Sequence, residues 1–179
     1  VELEQRGAVG AGVGAAIQGM RPIVEIMYID FMPIAIDQII NQASQIYFVS
    51  GGQVPVPLVI RTQGGAGANA GPQHSKSLEA WFTHIPGIKV VTPSTPFNAK
   101  GLLKSAIRGE DPVLFFEHKM LYAMSGPVPE DQEFTIPFGQ AGGVENVTLT
   151  QLQMPAHIHS ATTTVVLRAQ DIAANSAEP

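Results

Sequence analysis

His74 is the side chain best placed to do chemistry. It lies near the end of a glycine-rich run, Gly64 to Ser75, that follows directly on the apolar segment Val56–Thr62. Ligands of open α/β sheets bind beyond the carboxyl ends of strands. An imidazole there titrates near neutrality and can donate to a developing oxyanion. A surface histidine capping a helix that begins at Ser75 accounts for the same residue equally well. His84 and His118 stand at no spacing that suggests ligation and read as polar edges or satisfied interior groups. Asp37 reads as an ordinary helix-surface carboxylate, with a contact to a neighbouring chain as the alternative. His157 and His159 would point the same way on a strand, and paired imidazoles suit iron or zinc; two exposed histidines are the simpler reading.

Other chemistries are excluded or weakly supported. Without cysteine there is no thiolate zinc site, disulfide scaffold or cysteine nucleophile. No serine occupies a G-x-S-x-G elbow, and no G-x-x-x-x-G-K-[ST] phosphate loop occurs. The runs at Gly10–Ala15 and Gly65–Ala70 satisfy a loose dinucleotide pattern. The first lacks a preceding strand. The second has no acidic residue about 20 positions on to hold a ribose. A net charge of −5 makes nucleic acid or an anionic membrane a poor default partner. No apolar run approaches the about 20 residues of a membrane helix, and a reducing cytoplasm is the expected setting.

The elements that must position these groups follow from spacing. Of the 179 residues 45% are hydrophobic and 14% charged, enough for one packed domain and a small appendage. Gly7–Gly19 is a small-residue helix, Pro22–Tyr28 a strand, and Asp30–Tyr47 a long helix with a broad buried face. Val56–Thr62 is a strand of the kind buried on both sides of a parallel sheet. Ser75–Ile85 reads as a short helix and Ile88–Thr92 as a strand. Thr95 is an N-cap with Pro96 behind it, Gly109 marks the helix end, and Val113–Phe116 is the next strand. This alternation predicts an α/β domain, a mainly parallel sheet flanked by helices.

After about residue 139 the character changes. Every Phe, Tyr and Trp lies at or before Phe138, no glycine follows Gly143 and no lysine follows Lys119. Threonines alternate with aliphatics there, a β-leaning pattern. The expected division is a domain over 1–138 and an unrelated extension over 139–179.

The runs GAAIQGMRPIVEIMYIDFMPIAIDQIINQASQ, SGGQVPVPLVIRTQGG, QHSKSLEAWFTHIPGIKVVTPSTPFNAKGLLKSAIRGEDPVLFFEHKMLY and FTIPFGQA resemble the beta subunits of pyruvate dehydrogenase. More broadly, they resemble the thiamine-dependent first components of 2-oxo-acid dehydrogenases. The resemblance is nearly continuous from about residue 7 to 141. It implies a transketolase-like pyrimidine-binding domain that assists oxidative decarboxylation and acyl transfer to lipoamide. It also implies thiamine diphosphate shared with an alpha subunit that supplies the Mg²⁺ site, a lipoyl-bearing acyltransferase partner and a hetero-oligomer. Met27 and Phe31 correspond to positions packing around the pyrimidine, and His74 to the active-site histidine of the QHS motif. A potassium ion is implied at backbone carbonyls near Leu58, Ala106 and Ile107, with Gly109 and Asp111 in the same loop. Gly109 stands where the family usually has an acidic residue.

The catalytic glutamate of the family falls, by ungapped counting, on Gln5, with Glu4 one residue away. An amide does not titrate near neutral pH, so either the register slips to Glu4 or the proton-transfer group is absent. The strand and helix that precede this point in the family, and its C-terminal domain, are missing. The stretch GQAGGVENVTLTQLQMPAHIHS, with AANSAEP, resembles phage tail-collar proteins. Two alternatives therefore stand beside the dehydrogenase reading: a truncated or chimeric fragment without catalysis, and a tail or adhesion protein using the α/β unit as a spacer.

Overall fold

A computed structural model describes residues 2–139, with side chains from Glu4 onward. Apart from Gly139, the expected 139–179 extension, with its tail-collar resemblance and the His157–His159 pair, lies outside the described residues.

Four strands form one parallel sheet: β1 (Ile23–Ile26), β2 (Val59–Gly64), β3 (Lys89–Val91) and β4 (Val113–His118), ordered β1-β2-β4-β3. The two central strands carry the continuous apolar runs, as strands covered on both faces must. Ile60, Leu114 and Phe116 pack beneath α1 (Glu2–Ile17) and α2 (Met32–Asp37). Val59, Val91, Val113 and Phe115 pack beneath α5 (Pro96–Arg108) on the other face. Val59 pairs with Val113 and Gly64 with His118, so β2 and β4 end level with each other. The expected α/β fold with a parallel sheet and flanking helices is what forms.

α1 begins five residues before the expected start and lies close on the sheet. A Cβ on Gly12 would stand 2.7 Å from Val24 Cγ2 and 3.1 Å from Leu58 Cδ1, so glycine permits the approach. α5 has the expected ends: Thr95 Oγ1 accepts from the Asn98 N–H at 3.1 Å, and Gly109 follows the last turn. β2 starts three residues later than Val56, although Val56 and Leu58 are fully buried.

Two expectations fail in detail. The single helix over Asp30–Tyr47 is instead a 3₁₀ turn (Ile29–Phe31), α2, a π-helical turn over Gln38–Ala43, and α3 (Ile46–Val49). The Ser44 N–H reaches back to the Ile39 carbonyl at 3.0 Å, and the Ser44 hydroxyl donates to the Ile40 carbonyl at 2.6 Å. Such back-bonding bends a helix. The Ser75–Ile85 helix shrinks to α4 (Glu79–Phe82). Residue 76 has its backbone engaged elsewhere: its N–H donates to Asp30 Oδ1 and its carbonyl accepts from Gly65.

Candidate functional site

Three strands deliver side chains to one end of the sheet. Beyond β1 come Met27, Tyr28 and the Ile29–Phe31 turn. Beyond β2 comes the glycine loop that ends in a one-turn helix, Pro72–His74. Beyond β4 a 3₁₀ turn, Lys119–Ala123, follows His118. The loop must leave β2 tightly. Gly65 has φ +87°, and a Cβ there would run into the His118 imidazole, so only glycine suits both the backbone and the space. His118 Nδ1 in turn accepts from the Met120 N–H at 3.3 Å.

His74 is therefore not a lone loop residue. Its imidazole meets the Tyr28 ring edge-on, with centroids 4.7 Å apart and planes at 83°. The Phe31 ring lies 5.7 Å away at 79°. Lys119 donates from its ammonium to the His74 carbonyl and stands 5.3 Å over the Tyr28 ring. Phe31 and His74, expected to share a site, are in contact. Met27, two residues before the turn, is 55% exposed at the same end of β1.

At the start of α1 the two candidate residues part. Gln5 lies on the helical stripe of Val9 and Val13, which are 0% and 4% exposed. Its side-chain oxygen is buried with no hydrogen-bond partner among the described residues. Glu4 falls on the exposed face.

The residues associated with a potassium ion gather at the opposite end of the sheet, and four of the five have a group that is engaged. The Arg21 guanidinium donates to the Ile107 carbonyl at 3.2 Å, to the Gly109 carbonyl at 2.6 Å, and to the Glu110 carboxylate. The Leu58 carbonyl accepts from the Val113 N–H at 2.8 Å. Asp111 pairs with Lys89 at 2.5 Å, and Ala106 is buried against the sheet. Among the described residues no group of three or more His, Asp or Glu side chains could hold a metal ion. Asp37 accepts from Asn41 and Gln38 of its own helix at 2.8 and 3.0 Å, as a surface carboxylate does. His84 is exposed.

A second polar cluster lies on the α5 face of the same sheet end. Arg61 on β2 forks onto Glu117 on β4 at 2.9 and 3.1 Å and approaches Glu25 on β1 at 3.7 Å. Register places Glu25 beside Arg61, and Glu117, which pairs with Gln63, one diagonal step further along β4 on the same face. The hydrogen bond to Glu117 holds Arg61 more firmly protonated than usual. The Tyr122 hydroxyl donates to Glu117 at 2.7 Å; its burial and then this bond push the phenol well above its ordinary value. A half-open cavity of about 200 Å³, lined by Pro93, Thr95, Pro96, Glu117, Leu121 and Tyr122, adjoins the cluster.

Tyr28, Asp30, Arg61, Glu117 and Lys119 are absent from the sequence-based site. Arg61 did leave a signal, since it interrupts the apolar run Val56–Thr62 expected to be buried on both faces, whereas Glu117 merely follows the run Val113–Phe116. Tyr28 and Lys119 left none, because their roles depend on how strands 1 and 4 end relative to the loop.

Comparisons with known proteins bear on this geometry. The model of the family described as "Transketolase, pyrimidine binding domain" matches residues 4–125. The chain is 54% identical over 144 residues to the beta subunit of acetoin:2,6-dichlorophenolindophenol oxidoreductase from Cupriavidus necator, covering 80% of this chain and 42% of that one. It is 49% identical over 156 residues to the pyruvate dehydrogenase E1 component subunit beta from Porphyra purpurea, covering 85% and 47%. The chain thus spans less than half the length of these relatives. Among solved structures, a split-gene transketolase in an inactive beta4 tetramer superposes with a TM-score of 0.55 at 18% identity, over 75% of this chain and 40% of that one. At that identity the likeness concerns the fold. No helix among the described residues is long and apolar enough to cross a membrane.

Proposed function

The chain belongs to the transketolase pyrimidine-binding domain family, and from that premise we propose that it is the pyrimidine-binding portion of the beta subunit of a thiamine-diphosphate-dependent 2-oxo-acid dehydrogenase. The observation that carries this reading is the grouping of Met27, Tyr28, Phe31 and His74 beyond the carboxyl ends of β1 and β2. Met27 and Phe31 offer apolar faces to an aromatic ring. The amide of Gln5, whose oxygen is unpartnered among the described residues, can donate to a ring nitrogen or accept from an exocyclic amine. To that extent the residues fit an aminopyrimidine. When bound, thiamine diphosphate supplies the nucleophilic carbon for addition to the 2-oxo group and the electron sink for decarboxylation.

The residues of this chain have narrower tasks. His74, steadied by two aromatic edges, donates a hydrogen bond to the substrate or to an incoming lipoyl group. Gln5 orients the pyrimidine without moving a proton, since its amide does not titrate near neutral pH. The diphosphate and its Mg²⁺ fall to an alpha subunit, since the Gly-Asp-Gly…Asn motif that would hold them does not occur in this sequence. A lipoyl-bearing acyltransferase is the acceptor of the acyl group. A potassium ion at Leu58, Ala106, Ile107, Gly109 and Asp111 would compete with Arg21 for the Ile107 and Gly109 carbonyls and with Lys89 for the Asp111 carboxylate.

A second substrate class follows from the 54% identity to an acetoin oxidoreductase subunit: an acyloin, for which the bound cofactor would supply the same nucleophilic carbon and electron sink. Calorimetric titration with thiamine diphosphate and Mg²⁺ tests the reading, run on the chain alone and with an alpha subunit of a related dehydrogenase. Tight binding is expected only with the partner, and turnover of pyruvate or acetoin only there. Equal binding or turnover by the chain alone refutes it.

A further inference from the structure

Asp30 sits in the turn that presents Phe31 to His74, yet its carboxylate takes no part in the ring contacts. Its side chain is 2% exposed. One oxygen, Oδ1, accepts twice from a single residue across the site: from the Lys76 N–H at 3.3 Å and from the Lys76 ammonium at 3.0 Å. That ammonium also donates to the Pro72 carbonyl at 3.2 Å, at the start of the turn that carries His74. The Lys76 carbonyl accepts from the Gly65 N–H at 2.9 Å. Both ends of the glycine loop therefore converge on residue 76, and residue 76 is fastened to Asp30.

The second carboxylate oxygen, Oδ2, is buried without a hydrogen-bond partner among the described residues. An unmatched acceptor of that kind destabilises a fold, and a buried ion pair is a poor source of stability even when complete. What this aspartate provides is placement. From the other side, Lys119 holds the His74 carbonyl to the end of β4.

We infer that Asp30 is a positioning residue. Through Lys76 it fixes the Pro72–His74 turn so that the imidazole stands against Tyr28 and Phe31. The functional weight of this rests on the reading of His74 as the group that meets substrate. The anchor itself is a statement about geometry. Asparagine at position 30 would keep a carbonyl for the Lys76 N–H but lose the charge that strengthens the bond from the ammonium, so residue 76 would be fastened less firmly.

The test uses the full chain and the ring carbon-bound protons of its 5 histidines. Proton–carbon NMR resolves them, with His74 assigned from the signal lost in His74→Gln. Edge-on packing against two aromatic rings displaces the His74 signals from those of a freely rotating histidine. In Asp30→Asn and in Lys76→Met that displacement should be lost, while circular dichroism and the other histidine signals stay in place. Lys76 is half exposed, so the second variant decides the matter if the first does not fold. Unchanged His74 signals in the folded variants overturn the inference. In the complex with an alpha subunit, Lys76→Met should lower kcat by roughly 10- to 100-fold, the cost of a misplaced group, with little change in cofactor affinity. Full turnover by the same complex carrying His74→Gln would remove the functional reading of His74 and leave the anchor standing.

Discussion

Replacing Gln5 by glutamate puts the account of the cofactor site under direct strain. Residue 5 lies on the buried stripe of α1, one turn before Val9, which is 0% exposed. Its amide oxygen already lacks a partner among the described residues. A carboxylate there loses part of its hydration, a burial that costs about 1.5–2 kcal/mol at neutral pH and raises its pKa by a little over one unit. The amino end of α1 opposes this, because a negative charge in the first turn of a helix gains about 0.3–1 kcal/mol. Burial wins, with a net loss of about 1 kcal/mol.

The sign of the pH dependence follows. The introduced carboxyl has a higher pKa folded than unfolded, so the variant matches the parent below the unfolded value of about 4.3. It falls behind as pH rises through the folded value and stays behind at pH 8. Urea unfolding of both proteins at pH 4.5 and pH 8 measures the difference. With an alpha subunit the same change supplies a group that can transfer a proton, and turnover should rise about 100-fold or more. Equal stability differences at the two pH values would mean that residue 5 faces water. An unaltered rate in the complex would refute the reading that residue 5 stands where a proton-transfer group could act on the pyrimidine.

Gly12→Ala should destabilise the chain by about 1 kcal/mol. The helix gains about 1 kcal/mol, but a Cβ at 2.7 Å from Val24 Cγ2 overpacks the helix–sheet contact at a cost of about 1–3 kcal/mol; a higher midpoint of thermal unfolding would contradict this. Thr95→Ala removes the cap on Asn98 and should cost about 1 kcal/mol, read as a lower urea midpoint at unchanged m-value; no change would show that the cap is idle. The raised Tyr122 phenol keeps its contribution below the ordinary tyrosine value of about 10 and loses it as pH climbs through its higher folded value. Alkaline denaturation should therefore be shallower in Tyr122→Phe, and parallel curves for the two proteins would count against the Glu117 hydrogen bond.

The fold was legible wherever local chemistry and burial agree. Thr95, Pro96 and Gly109 mark the ends of α5 by capping rules that need no tertiary information. The apolar run of β2 announces a strand covered on both faces. The stretch from Asp30 to Tyr47 was misread because apolar spacing of three and four residues persists across a π turn; only the Ser44 bonds to Ile39 and Ile40 reveal the change of phase. The helix expected at Ser75 was lost for a tertiary reason, the capture of residue 76 by Asp30. In the site, His74 was visible because it follows a strand and a glycine loop. Its neighbours Tyr28 and Lys119 were not, since 45 residues separate His74 from Lys119 and no periodicity spans such a gap.

Among the described residues the sheet order leaves β1 at an edge, and α5 covers only the strands beyond it. On the bare side of β1, Ile23 and Met27 are 49% and 55% exposed, and between them stands Glu25. Edge strands with an apolar face are templates for intermolecular pairing, and a single charge in the row is the usual guard. The guard on this stripe is one carboxylate: with Glu25 in place the apolar row is interrupted, and with glutamine there it is not. Loss of this protein from solution on storage or warming should begin at β1 well before the core beneath α1 and α5 gives way.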